Sequence, residues 1–260
     1  MMKGCVTEVQ PVPPEARRPW APDRGEDPLQ PAKDSNFTCL SEVELFADLS
    51  PQEIEAMDHM MPPVTFRSGE LLYGPTKSEN ALFILKKGRV RVFRVTAEGK
   101  ALTLAILEPG AVFGEMPLLG QRMYGSYAEA IDTVSVCRMT TAEVEHQLLA
   151  DPRIAVRMAR LLGDQVARLE ERLTDLALKP LHARAAATLV RLAADQGRGP
   201  LGKPTIRLTH GQIAGLLGVT RESTSRTLQG LADDGFIRQS RGRIVVLDMA
   251  GLRLAADEID

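Results

Sequence analysis

Cysteine is scarce in this chain of 260 residues: there are three, Cys5, Cys39 and Cys137, far apart and odd in number. That argues against a disulfide framework and fits a reducing compartment. It also leaves no clustered spacing, and an iron-sulfur cluster would need a fourth thiolate. Cys137 lies on an apolar strand and reads as core. The histidines His59, His146, His182 and His210 are scattered, with no metal-ligand spacing. No apolar run approaches the ~18 residues of a membrane span. The N-terminus lacks the apolar core of an export signal. No nucleophile stands beside a base in a pattern that suggests catalysis. These absences predict a cytoplasmic protein that is neither an enzyme nor membrane-bound, with no metal and no resident cofactor.

Net charge is also small, −2, but its distribution is uneven. Residues 181–250 hold ten Lys and Arg against five acids, giving +5 and leaving −7 for the rest of the chain. A basic module on an acidic body suits binding to a polyanion.

The chain divides by texture. Residues 1–36 carry seven prolines and little apolar periodicity, so they are expected to be a disordered tail, with Trp20 as a residue that pins it to the body. Residues 37–150 alternate short strands with turns: "ALFILKKGRVRVFRV" reads as two strands meeting at Gly88, "AEGK" as a tight turn before "ALTLAIL", and "SYAEAIDTVSVCRM" as two more. Strands at this spacing predict a β-barrel or β-roll. Asp151-Pro152 opens a helix over 151–179. Its Leu162, Val166, Leu169, Leu173 and Leu176 recur at spacings of 4, 3, 4 and 3, a heptad seam flanked by charge. Either this face packs on the chain's own barrel, or it pairs with a second copy. The charged flanks favour pairing. Lys179-Pro180 ends the helix at a hinge.

Residues 180–250 hold the most informative pattern, with 251–260 expected to be a tail. Thr209 and Gln212 form a T-x-x-Q capping box for one short helix, Gly218-Val219 turns the chain, and Thr220 caps a second from Arg221. Two helices around such a turn make a helix-turn-helix. The strands around Arg241-Gly242 make a wing. Leu228 and Leu231 face inward, whereas Arg221, Glu222, Ser225 and Arg226 share the outer face near the helix start, the end that enters a major groove. Arginine can donate twice to guanine O6 and N7, and glutamate can accept from cytosine N4. Because an acid repels phosphate, Glu222 points to base reading. The alternative is a solvated Arg-Glu surface. The expected DNA-facing residues are Thr209, Thr220, Arg221, Glu222, Ser223, Ser225, Arg226, Arg241 and Arg243.

Over residues ~40–250 the chain resembles the Crp/Fnr family, that of the cyclic-AMP receptor protein and the fumarate-nitrate reduction regulator. "GVTRESTSRTLQGLADDGFI" is similar to the family's recognition helix with its R-E-x-x-x-R pattern, and "FGEMPLLG" to the glycine-glutamate element of its nucleotide pocket. The resemblance implies an α+β fold: an N-terminal cyclic-nucleotide-binding-like β-roll, a long dimerisation helix and a C-terminal winged helix-turn-helix. It implies a homodimeric transcription regulator, expected to be an activator, whose partners are double-stranded DNA and RNA polymerase. Its half-site would be of TGTGA type or, because Ser225-Arg226 matches the fumarate-nitrate branch, a hybrid with a central TGA. The effector pocket it implies comprises Gly114, Glu115, Arg122, Tyr124, Ser126, Leu169 and Glu170. There the chain departs from the pattern: Tyr124 or Gly125 occupies the place of the phosphate-neutralising arginine, and Leu169-Glu170 that of the adenine-facing Thr-Ser pair. These departures predict independence from cyclic AMP. The alternatives are a cyclic-AMP-gated regulator using Arg122, and a nucleotide-binding module that controls another protein.

Overall fold

The structure, a computed structural model, describes residues 43–60, 63–75, 81–114, 125–145, 151–195 and 202–258. The proline-rich segment with Trp20, and Cys5 and Cys39, lie outside these residues. A 3-10 turn at Glu44–Phe46 and helix α1 (Pro51–Met60) precede the strands of the roll. These are β1 (Val64–Phe66), β2 (Leu71–Tyr73), β3 (Ala81–Lys87), β4 (Val90–Val95), β5 (Ala101–Leu107), β6 (Val112–Gly114), β7 (Ser126–Ala130) and β8 (Val134–Thr140). They form two antiparallel sheets ordered β1-β8-β3-β6 and β2-β7-β4-β5. The strands on either side of Gly88, β3 and β4, belong to different sheets, while β4 and β5 pair as a hairpin across the turn at 97–100.

The five apolar residues that begin β3 are continuous because both faces of the strand are covered. Phe83 and Leu85 point between the sheets and join Phe66, Leu72, Tyr73 and Phe113 in one core. Within it the Phe83 and Phe113 rings stack with centroids 5.4 Å apart. Leu82 and Ile84 point outward, where Ile154 and Met158 join them with Cys137 and Phe46 in a second core. Cys137 is fully buried there, as its apolar strand predicts.

Ile154 and Met158 belong to α3 (Pro152–Leu178), which follows a short α2 (Thr141–Glu143). Asp151 caps α3 by accepting from the Arg153 amide at 2.8 Å, with proline at the first turn. Arg153 and Arg157 tie this end to the body through Glu53 at 2.8 Å and Asp48 at 2.7 Å. Beyond its third turn α3 leaves this outer core. Leu162 still packs partly against the outer core, but Val166, Leu169, Leu173 and Leu176 are 54, 50, 67 and 45% exposed. Among the described residues of a single copy, none buries this stripe.

Past Pro180 come α4 (Leu181–Asp195), β9 (Thr205–Ile206), α5 (His210–Leu217), α6 (Arg221–Asp233), β10 (Ile237–Ser240), β11 (Arg243–Val246) and α7 (Met249–Ala256). Leu189, Ile213, Leu228, Leu231, Ile244 and Leu252 share its core. The last element corrects the reading of 251–260 as a tail. Asp248 caps α7 by accepting from the amides of Ala250 and Gly251, and Leu252, Ala255 and Ala256 are buried. An Asp cap followed by apolar residues at i, i+3 and i+4 is a helix signal that short, small side chains made easy to overlook.

Candidate nucleic-acid interface

Local hydrogen bonding sets the angle between α5 and α6. The Thr209 hydroxyl accepts from the Gln212 amide at 3.3 Å, and the Gln212 side chain accepts from the Thr209 amide at 2.8 Å, completing the capping box. Gly218 ends α5 in the left-handed conformation at φ 69. Two residues later the Thr220 hydroxyl accepts from the Ser223 amide and starts α6.

On α6, Thr224, Leu228 and Leu231 are buried, and Arg221, Glu222 and Arg226 are exposed. The Glu222 carboxyl is held below the ordinary carboxylate range, first by its own backbone amide and the Thr220 hydroxyl, and further by the charges of Arg221 and Arg226. At neutral pH it is therefore an ionised acceptor between two donors. Ser223 is engaged in the cap, where its hydroxyl receives that of Thr220 at 3.2 Å.

The wing, β10 and β11, stands beside α6. Gln239 on β10 donates to Gln229 on α6 at 2.8 Å, and Gln229 donates to Asp233 at 2.7 Å. Between wing and helix lies an open groove of about 720 Å³, lined by Thr209, His210, Arg221, Ser225, Gln229 and Arg241 among others. The structure thus gathers Thr209, Arg221, Ser225 and Arg241 around one concavity. Arg226 and Glu222 stand exposed on α6 outside that lining, and Arg243 is exposed on β11. Sequence reasoning passed over His210, Gln229 and Gln239. Gln229 was findable, lying four residues from Ser225 and eight from Arg221 on the same helix face. His210 was not, since its partner Ser225 is on another helix.

The effector side is only partly described: Glu115, Arg122 and Tyr124 lie outside the described residues. Gly114 ends β6 where any Cβ would fall 2.3 Å from the Ala81 carbonyl, so its glycine serves strand packing. Ser126 opens β7 and is buried. It hydrogen-bonds the Tyr73 phenol, whose pKa burial pushes up to about 12 against that bond's opposing effect. Leu169 and Glu170 lie on exposed turns of α3.

A contact that the sequence did not suggest joins roll, long helix and DNA-binding domain. The Arg172 guanidinium donates to the carbonyls of Thr103 (2.7 Å) and Leu104 on β5, and to Leu216 (2.6 Å) in the last turn of α5. A cation at a helix C-terminus also opposes the partial negative charge there. Burial, and then the charge of Arg191, lower the Arg172 pKa from its ordinary value. Gly215 permits the approach, since a Cβ there would sit 2.5 Å from the Thr103 hydroxyl. That hydroxyl accepts from Arg91 at 2.9 Å. On the next turn of α3, Asp175 pairs with Lys179 at 2.9 Å and with Arg191 of α4 at 2.8 Å. Burial alone would raise the Asp175 pKa, but the two cations outweigh it and leave it below the ordinary value.

Two family models match the chain: a cyclic nucleotide-binding domain over residues 63–151 and a Crp-like helix-turn-helix domain over 183–255. Fold and interface together define a two-domain transcription regulator, and no helix among the described residues is long and apolar enough to cross a membrane. The transcriptional regulator SdrP of Thermus thermophilus is 31% identical over 77% of this chain and 97% of its own length. The cyclic AMP receptor protein of the same organism is 29% identical over 79% and 93%. A solved CRP/FNR-family regulator, also from Thermus thermophilus, superposes with a TM-score of 0.64 at 30% identity, covering 76% of this chain and all of that one. The chain belongs to the CRP/FNR family of DNA-binding transcriptional regulators, which are not enzymes.

The Arg172 contact makes a test of domain coupling. Arg172→Ala strands three carbonyls, two on the roll and one on α5, and is expected to lower stability by about 2 kcal/mol or more. Amide exchange should quicken together in β5 and at the end of α5. Unchanged protection at both places would show that Arg172 does not hold the domains together.

Proposed function

We propose that this chain acts as a homodimer which binds a near-palindromic site of TGTGA or TGA type, recruits RNA polymerase as an activator in the cytoplasm, and does so without cyclic AMP. The observation that carries the reading is the ionised Glu222 between Arg221 and Arg226 on the exposed start of α6, beside the groove that faces the wing. Arginine suits guanine and the carboxylate suits cytosine N4, while a helix meant only for phosphate would gain nothing from Glu222. The wing arginines Arg241 and Arg243 carry no acid partner in sequence and suit the backbone. Pairing through Val166, Leu169, Leu173 and Leu176 would cover the apolar stripe and set two recognition helices about one DNA turn apart.

Independence from cyclic AMP follows from charge. A cyclic phosphate taken into the roll without a cation is a desolvated anion. In this chain Tyr124 or Gly125 takes the place of the expected arginine, and Glu170, an exposed acid on α3, that of one of the adenine-facing pair which the resemblance implies. The second reading, a cyclic-AMP-gated regulator using Arg122, is favoured by the nucleotide-binding model over 63–151 and by a relative named for cyclic AMP.

Arg226→Ala is expected to cost ~1–3 kcal/mol of specific binding and to relax preference at one guanine. Arg241→Ala or Arg243→Ala should weaken all duplexes alike and flatten the salt dependence. If Arg226→Ala weakens specific and random duplexes by one factor, the helix does not read bases. Calorimetry separates the two effector readings: little or no heat is expected at roughly millimolar cyclic AMP. A micromolar Kd lost in Arg122→Ala would establish the gated regulator instead.

A further inference from the structure

Most hydroxyls near the start of α6 are spent inside the helix and its cap. Thr224 donates to the Thr220 carbonyl at 3.0 Å, Thr227 to the Ser223 carbonyl at 3.0 Å, and Ser223 is held by Thr220. Back-bonding to the carbonyl four residues earlier is the ordinary habit of a helical hydroxyl. For Ser225 that acceptor would be Arg221, which would fold the hydroxyl against its own backbone. Instead its Oγ lies 2.9 Å from Nδ1 of His210, on the other helix of the motif. Both residues line the groove between α6 and the wing.

His210 is well placed to hold a partner. It is the first residue of α5, directly after the Thr209 capping box, and Ile213, three residues on, is fully buried. We propose that His210 is a specificity-determining positioning residue, which keeps the Ser225 hydroxyl turned into the groove and limits the donor and acceptor positions it offers a base edge. The proposal rests on the reading of α6 as the base-reading helix. A serine hydroxyl offers one donor and two acceptor positions, so a mobile one tolerates either kind of base edge. Bonding to imidazole narrows that freedom. If the hydroxyl gives its hydrogen to Nδ1, it can only accept from the base, which selects an amino group. If it receives a hydrogen from Nδ1, it keeps its own hydrogen and one acceptor position for the base. The ring tautomer chooses between the two, and the first choice sharpens discrimination at one base pair.

The experiment compares wild type, Ser225→Ala, His210→Ala, His210→Asn and the double variant Ser225→Ala/His210→Ala. Binding is measured to the wild-type-preferred duplex, to its single-base variants and to a random duplex, after melting curves establish that each protein is folded. Ser225→Ala should reduce discrimination at one base pair by about fivefold, the size of a single lost hydrogen bond. His210→Ala should do the same at the same base pair, and the double variant should lose no more than either single one. Asparagine, whose amide can reach near the Nδ1 position, should restore part of it. Loss in His210→Ala that is equal on specific and random duplexes would make His210 a backbone contact and overturn the proposal. Additive losses in the double variant would overturn it too. If Ser225→Ala leaves every base preference intact, Ser225 reads no base, and the proposal falls with that part of the interface even where Arg226→Ala still relaxes its guanine.

Discussion

One helix has to satisfy three different neighbours, and the rest of the molecule is arranged around that demand. The first two turns of α3 are apolar toward the roll, where Ile154 and Met158 complete the outer core. Its second half turns an apolar stripe to open solvent and a polar stripe to the DNA-binding domain. Arg172 and Asp175 belong to the polar stripe, and their partners come from β5, α4 and α5. A rise of 1.5 Å per residue carries this one element from the outer core of the roll to the DNA-binding domain. Whatever fixes α3 therefore fixes where the recognition helix stands.

The polar character of that junction has a consequence for its strength. Backbone carbonyls held by a half-buried guanidinium are satisfied only in one arrangement, so the contact is specific in geometry. The apolar terms at the same boundary are few: Ile106 and Ile131 of the roll are only partly buried against the core of the DNA-binding domain. Relative domain position thus depends on a handful of directed bonds, whereas each domain is internally held by a full apolar core. This division suits a regulator in which one domain reads DNA and the other carries the long helix α3.

Much of the DNA-binding domain was legible because its signals are local. Capping residues, the left-handed glycine at 218 and the alternation around Arg241-Gly242 are each set by neighbours within a few residues, and the structure has them where the pattern puts them. The heptad spacing likewise marked the exposed stripe, apart from Leu162, which the roll partly claims. What stayed hidden depends on pairings distant in sequence. Thr103 and Gly215 look ordinary until β5 and α5 are brought together, and His210 gains meaning only beside Ser225 fifteen residues on. The α7 helix was missed for another reason: it contributes small buried side chains that pack chiefly on α4, far back in the chain.

On the proposed function, two copies of this chain, joined along α3, read two half-sites together. Selection of bound sequences from random DNA tests it most directly, run in parallel with the wild type and with Leu169→Glu/Leu173→Glu. Charges buried against their symmetry mates would break the pairing without touching either core. The wild type should recover an inverted repeat with half-site centres about one helical turn apart, and the variant, monomeric and still folded, should recover none. Enrichment of a lone half-site by the wild type, or of the same spaced repeat by the variant, would contradict it.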